Sequence, residues 1–111
     1  MNKEVHPLRQ GDVILVPFPF TDLTATKTRP AVVVSKPGRG EDVIVCAVTS
    51  KSFRGGVKFT EVDLSMGKLP LTSYIRIEKV VALHVSLVRR VVASLSKKKL
   101  NELIRLFKAQ F

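Results

Sequence analysis

Two short stretches carry the side chains best suited to chemistry. In "KTRPAVVVS" (residues 27–35), Arg29 stands directly before Pro30 at the foot of a β-branched run. The residue before a proline is held in extended backbone, so this guanidinium leaves from a fixed anchor. Its planar donor fork matches the oxygens of a phosphate, and it keeps its charge near neutral pH. In "SYIRIEK" (residues 73–79), strand alternation sends Ile75 and Ile77 to one face and Tyr74, Arg76 and Glu78 to the other. Arg76 and Glu78 then lie roughly 6.5–7 Å apart along the strand. That spacing suits a structural ion pair. It suits equally a carboxylate base and a cationic ligand flanking one phosphodiester.

Other chemistries lack their patterns. The sequence holds no HExxH, CxxC, P-loop or GxSxG. His6 lies near the N-terminus and His84 interrupts an apolar stretch, which disfavours a histidine-pair nuclease. The carboxylates are scattered, so neither a metal site nor a cofactor is expected. Cys46 is the only cysteine, which excludes an intramolecular disulfide and a cysteine-rich zinc site. Its apolar neighbours predict a packed thiol. Nineteen Lys and Arg stand against nine Asp and Glu, a net charge of +10. Such an excess points to a polyanionic partner, nucleic acid first; a merely basic surface is the plain alternative.

The elements that must position these residues follow from the turn signals. At 111 residues the chain is long enough for one domain, 1–111, and too short for two. It is 45% hydrophobic and 25% charged, which fits a packed core and neither a disordered tail nor a membrane protein. No apolar run approaches the ~18 residues of a membrane span, and "MNKEVHPLRQGD" has no signal-peptide core, so the cytoplasm is expected. Residues 1–10 are expected to form a mobile N-terminus.

Gly11-Asp12 opens a strand at 13–16, and the prolines of 17–20 exclude a central strand there. Further strands are expected at 31–35, 43–49, 57–64 and 73–79, with a turn at 37–40, loops at 51–56 and 65–72, and a short strand at 87–92. Ser96 is a good N-cap, and Leu100, Leu103, Ile104 and Phe107 follow helical spacing, predicting an amphipathic helix over 97–110. Lys97, Lys98 and Lys99 in its first turn read as solvated lysines or as contacts to an anionic partner.

In order and spacing, "GDVILVPFPFTD", "KTRPAVVVS", "VIVCAVTSK" and "SYIRIEKV" resemble the MazF/PemK (Kid-like) toxins of type II toxin–antitoxin modules. The resemblance implies a mainly β fold: an SH3-like barrel of about five to seven antiparallel strands with a C-terminal α-helix. It also implies a homodimer, a cognate acidic antitoxin, and metal-independent cleavage of single-stranded RNA. Carried over by position, Arg29 matches a principal active-site arginine, and Thr49 matches the threonine that ends the family's next strand, with Ser50 after it. Arg76 and Glu78 resemble an Arg-x-Asp pair in which the carboxylate is the base; here Glu is longer by one methylene. Kid-like enzymes also use a histidine after the first strand. None stands there in this chain, so that role is empty or falls to Lys27. The segment 51–56, with Lys51, Phe53 and Arg54, matches an RNA-binding region, and Phe53 and Tyr74 are candidates to stack bases. Two rival readings on such a barrel are a non-enzymatic toxin like the CcdB gyrase poison and a basic module that binds nucleic acid without cutting it.

Overall fold

The computed structural model describes residues 8–17, 28–37, 42–52 and 54–110. The readings that concern His6, Lys27, Phe53, the stretch 18–20, most of the 37–40 turn and the N-terminus up to residue 7 lie outside them. The described chain forms seven strands: β1 (Asp12–Val16), β2 (Arg29–Val33), β3 (Asp42–Thr49), β4 (Val57–Phe59), β5 (Leu64–Gly67), β6 (Ser73–His84) and β7 (Arg90–Leu95). One helix, α1 (Lys97–Ala109), follows. Every pairing is antiparallel, and the strands lie in the order β4-β6-β3-β2-β1-β7-β5.

That order forces the sheet to curl. β4 and β5 are its two edges, yet in sequence only Thr60 and a 3-10 turn at Glu61–Asp63 separate them. A flat sheet of seven strands would hold its edges about 29 Å apart, six spacings of about 4.8 Å. The link from Phe59 to Leu64 reaches at most about 18 Å. Only a curled half-barrel satisfies both lengths.

Burial follows from the curl. Val13, Val32, Cys46, Val48, Phe59 and Ile75 pack on the helix side with Leu103. Ile14, Val16, Ala31, Val33, Val43, Val45 and Leu83 form a second cluster on the opposite face. This two-sided burial is why β2 reads as an unbroken apolar run instead of an alternating one. The helix docks through Leu100, Leu103, Ile104 and Phe107, as its spacing predicts, and through Leu106. Ser96 caps it by accepting the Lys99 N–H at 3.2 Å. Lys99 belongs to the fold: its Nζ donates to the Lys58 carbonyl (3.1 Å) and to Glu102 Oε1 (2.9 Å). Lys97 and Lys98 are exposed.

Three elements differ from the sequence reading. The strand expected over 57–64 breaks at Thr60, whose N–H donates to Asp63 Oδ2 (2.9 Å) while its carbonyl accepts the Asp63 N–H (2.9 Å). Part of the expected 65–72 loop is strand β5. It closes against β7 because Gly67, at φ +80°, has no Cβ; one added there would meet the Val92 carbonyl oxygen at 2.1 Å. β6 continues past the expected end at 79 as far as His84, and the strand expected over 87–92 begins only at Arg90, as β7, beyond a 3-10 turn at Val85–Leu87.

The Gly-Asp opening is a clasp. Gly11 (φ +96°) donates to the Val33 carbonyl (2.8 Å) and accepts from the Leu95 N–H (2.9 Å). The buried Asp12 carboxylate accepts the Ser94 hydroxyl on Oδ1 (2.7 Å) and the Arg9 N–H on Oδ2 (2.8 Å). Its donors are only part-buried and can turn to water, so each of these two bonds is worth about 0.5–1.5 kcal/mol. Asp12→Ala should therefore lower the urea midpoint clearly, and Asp12→Asn less, since it keeps one acceptor oxygen. An unchanged midpoint in Asp12→Ala would show that the clasp does not hold the fold.

Candidate active site

The site is built around a break in register. β6 residues 74–76 pair with residues 49–47 of β3, and residues 80–84 pair with 46–42. Ile77, Glu78 and Lys79 are therefore extra, bulged between the Arg76↔Ala47 and Val80↔Cys46 pairs. An odd number of extra residues inverts the alternation. Ile75 before the bulge and Ile77 at its start face the helix-side core; beyond it Val80 does, while Val81 and Leu83 face the second cluster.

Arg76 lies on the outer face beside Ala47, and Glu78 emerges within the bulge. Arg76 Nη2 and Nε both reach Glu78 Oε2, at 2.7 and 2.8 Å. The two side chains are 29% and 42% exposed, so this is a rim pair. Arg29 is exposed and pairs with Val16 at the foot of β2. Continuing the β2–β3 register from Ala31↔Ala47 sets Arg29 across from Thr49, which in turn pairs with Tyr74. Thr49 Oγ1 accepts the Lys51 N–H at 3.1 Å, which leaves its own O–H able to donate.

These residues meet in an open cleft of about 540 Å³. Arg29, Lys51, Arg76 and Lys79 supply its positive charge, and Thr49, Ser50 and Ser73 add hydroxyls. Leu69, Pro70 and Leu71 form an apolar wall, braced by the buried Ser73, whose hydroxyl donates to the Leu71 carbonyl at 3.0 Å. No carboxylate is among the described lining residues. Such a cleft suits a polyanion that also offers flat apolar surface.

The cleft thus gathers five of the residues singled out from sequence: Arg29, Thr49, Ser50, Lys51 and Arg76. Glu78 does not line it and joins it through the bond to Arg76. Tyr74 is paired with Thr49 in the same cross-strand row, half-buried and outside the lining, and Arg54 is exposed in a turn outside it. Lys27 and Phe53 lie outside the described residues. Lys79 and the 69–71 wall escaped the sequence reading. Lys79 shares the odd phase of Ile75 and Ile77, which would send it to the core; the bulge turns it toward the cleft instead. A lysine in a core phase was the available signal.

Cys46 is buried, and its thiol is pushed up to about 12 by burial and secondarily by the charge of Glu78. It is a packing residue and stays protonated. Among the described residues no three His, Cys, Asp or Glu side chains gather as a metal site would require.

A curled antiparallel half-barrel with a terminal helix and a cationic, hydroxyl-lined cleft defines a small β protein equipped to hold an anionic chain. The model of the PemK-like, MazF-like toxins of type II toxin–antitoxin systems matches residues 9–111, and the chain belongs to that family. MazF from Deinococcus radiodurans shares the fold at a TM-score of 0.72 and 18% identity, over 96% of this chain and 97% of that one. A mycobacterial endoribonuclease in complex with its cognate antitoxin gives 0.71 at 17% identity, over 95% and 93%. The Mycobacterium tuberculosis toxin MazF-mt6 gives 0.63 at 16%, over 87% and 96%. No curated protein matches the sequence. Among the described residues no helix is long and apolar enough to cross a membrane.

The raised thiol pKa has a signed consequence. The folded chain holds the Cys46 proton to about pH 12, whereas the unfolded chain releases it near 9. Stability from this group is complete below pH 9 and is lost as pH rises toward 12. The melting temperature of Cys46→Ala, lower at neutral pH because of the cavity it leaves, should fall less steeply over that window than that of the native chain. Parallel curves would mean that the thiol does not contribute to the alkaline limb.

Proposed function

We propose that this chain is a metal-independent endoribonuclease that cuts single-stranded RNA, acting as a cytoplasmic homodimer restrained by an acidic antitoxin. The observation that carries this reading is the convergence of Arg29, Lys51, Arg76 and Lys79 on one cleft beside the hydroxyls of Thr49 and Ser50. Membership of the toxin family supports it. So do the solved relatives, one of them named an endoribonuclease bound to its cognate antitoxin.

The substrate brings its own nucleophile. The ribose 2′-oxygen attacks the adjacent phosphorus and loses its proton, the bond from phosphorus to the 5′-oxygen breaks, and that oxygen leaves protonated. The products are a 2′,3′-cyclic phosphate and a 5′-hydroxyl. The reaction needs a base for the 2′-proton, an acid for the 5′-oxygen and compensation for charge on the non-bridging oxygens. The acid is assigned to no side chain, and water in the open cleft returns the proton. Glu78 is assigned as the base, acting through Oε1 while Oε2 is held by Arg76; proton transfer of this kind contributes typically about 10²–10⁴-fold. Arg29 and Arg76 hold the non-bridging oxygens, and Thr49 adds a neutral donor. The high pKa of a guanidinium makes both arginines charge stabilisers and not proton donors. Ser50, Lys51, Arg54 and Lys27 bind the RNA backbone, while Phe53 and Tyr74 stack unpaired bases at about 1–3 kcal/mol each. A-form duplex, whose bases are not splayed out, is spared.

Purified protein with end-labelled RNA in EDTA tests the reading. Cleavage in loops and not in stems, leaving cyclic phosphate ends, is expected; no cleavage of varied RNAs would favour the gyrase-poison or plain binding alternatives. Arg29→Lys keeps a cation but loses the planar fork, and single-turnover cleavage should fall about 10²-fold or more. Glu78→Gln should lose a comparable factor. An exposed ion pair is worth only about 0–1 kcal/mol, so the melting temperature should hardly move in either variant. A large loss of stability with near-normal cleavage per folded molecule would overturn the assignment of both residues.

A further inference from the structure

The pairings that set Arg29 beside Thr49 continue beyond the cleft. Thr49 pairs with Tyr74, and Tyr74 pairs with Lys58 on β4. Directly opposed residues point to the same face of a sheet, so Arg29, Thr49, Tyr74 and Lys58 form one row across β2, β3, β6 and β4. Val57 and Phe59 bury their side chains in the helix-side core, which turns Lys58 outward on the opposite face. Three strand spacings carry the row about 14 Å from Arg29 to the sheet edge. Its order is cation, hydroxyl, aromatic, cation. Among the described residues Lys58 has no ion-pair partner, and Lys99 uses only its backbone carbonyl.

We propose that the RNA strand crosses the sheet along this row, with Lys58 on the edge strand holding a phosphate a few nucleotides from the one at Arg29 and Tyr74 stacking a base between them. This assignment rests on the endoribonuclease reading above and adds a binding residue and a direction to it. A backbone that repeats phosphates beside unpaired bases needs cations separated by a stacking platform. The row supplies that alternation on rigid, paired strands. Lys58 acts as a point charge in binding and takes no part in the bond that breaks.

The test uses the full chain and a fluorescently labelled, 2′-O-methylated single-stranded RNA, which lacks the attacking hydroxyl and cannot be cut. Affinity is measured over a range of salt concentrations. Each phosphate contact to a single strand contributes about 0.7 to the slope of log K against log salt. Lys58→Ala should weaken binding and reduce the slope by about 0.7. Lys97→Ala, which removes an exposed lysine off the row, should leave the slope unchanged. RNAs shortened stepwise from either end should show where the Lys58 contact falls: in one of the two series, the difference between Lys58→Ala and the native chain should vanish. If the native chain binds and cuts RNA but Lys58→Ala keeps the full slope, or Lys97→Ala lowers it equally, the path is overturned and the function stands. If the native chain neither binds nor cuts RNA, both fall together.

Discussion

The register break between β3 and β6 is the constraint on which the rest of the site depends. Three residues more on β6 than on β3 must be absorbed between Cys46 and Ala47. An even number would have left the phase intact and sent Val81 and Leu83 toward the helix. An odd number lets one long strand serve both apolar clusters, its first half through Ile75 and Ile77 and its second through Val81 and Leu83. The same three residues put Glu78 within reach of Arg76 and turn Lys79 toward the cleft. Packing and chemistry are thus settled by one irregularity. Neither core cluster would keep its composition if the bulge were straightened.

The curl of the sheet is the second determinant, because it decides what can be charged. A flat sheet with two apolar faces would have needed cover over its whole area. Curling buries one face around α1 and leaves the rim, where β2 starts and β3 ends, open to water. Arg29, Lys51 and Arg76 gather at that rim, so their charges remain solvated. Mutual repulsion among these three and Lys79 is tolerable in such a place, since water and salt screen it over about 10 Å. A polyanion that enters the cleft displaces that screening and meets the charges already arranged. The cost of assembling them was met by the core that holds their strands.

Much of this was readable in the sequence, and the boundary has physical causes. The helix was readable because its cap and apolar spacing are local, and Arg29 because a proline fixes the backbone beside it. The Gly-Asp clasp was readable as a strand opening, but its partners Ser94 and Val33 lie far away in sequence. The bulge left only a hint, Lys79 in the core phase of "SYIRIEKV"; where the register slips, and by how many residues, is shown only by the partner strand. The break after Phe59 left a trace in Thr60 and Asp63, a capping pair that the β-branched run obscured. The 69–71 wall is made by a loop whose position is set by Gly67 closing on β7, a contact no local pattern announces.

The division between strand and loop also bears on how the site separates stability from function. Arg29, Thr49 and Arg76 stand on strands whose neighbouring residues, Ala31, Val48 and Ile75, are among the most buried in the molecule. Their Cα positions are fixed by core packing, while their side chains extend to a rim where single contacts are worth little. Such residues can be poor contributors to folding and still be well oriented, because the backbone beneath them supplies the order. The Arg76–Glu78 pair fits this arrangement: it adds little energy, yet two bonds to one oxygen fix the plane of a guanidinium. Ser50, Lys51, Pro70 and Leu71 lie off the strands and outside the core clusters, whereas Leu69 of the wall also packs against the helix-side cluster. A scaffold divided in this way keeps one set of anchored charges while its loops change what lies against them.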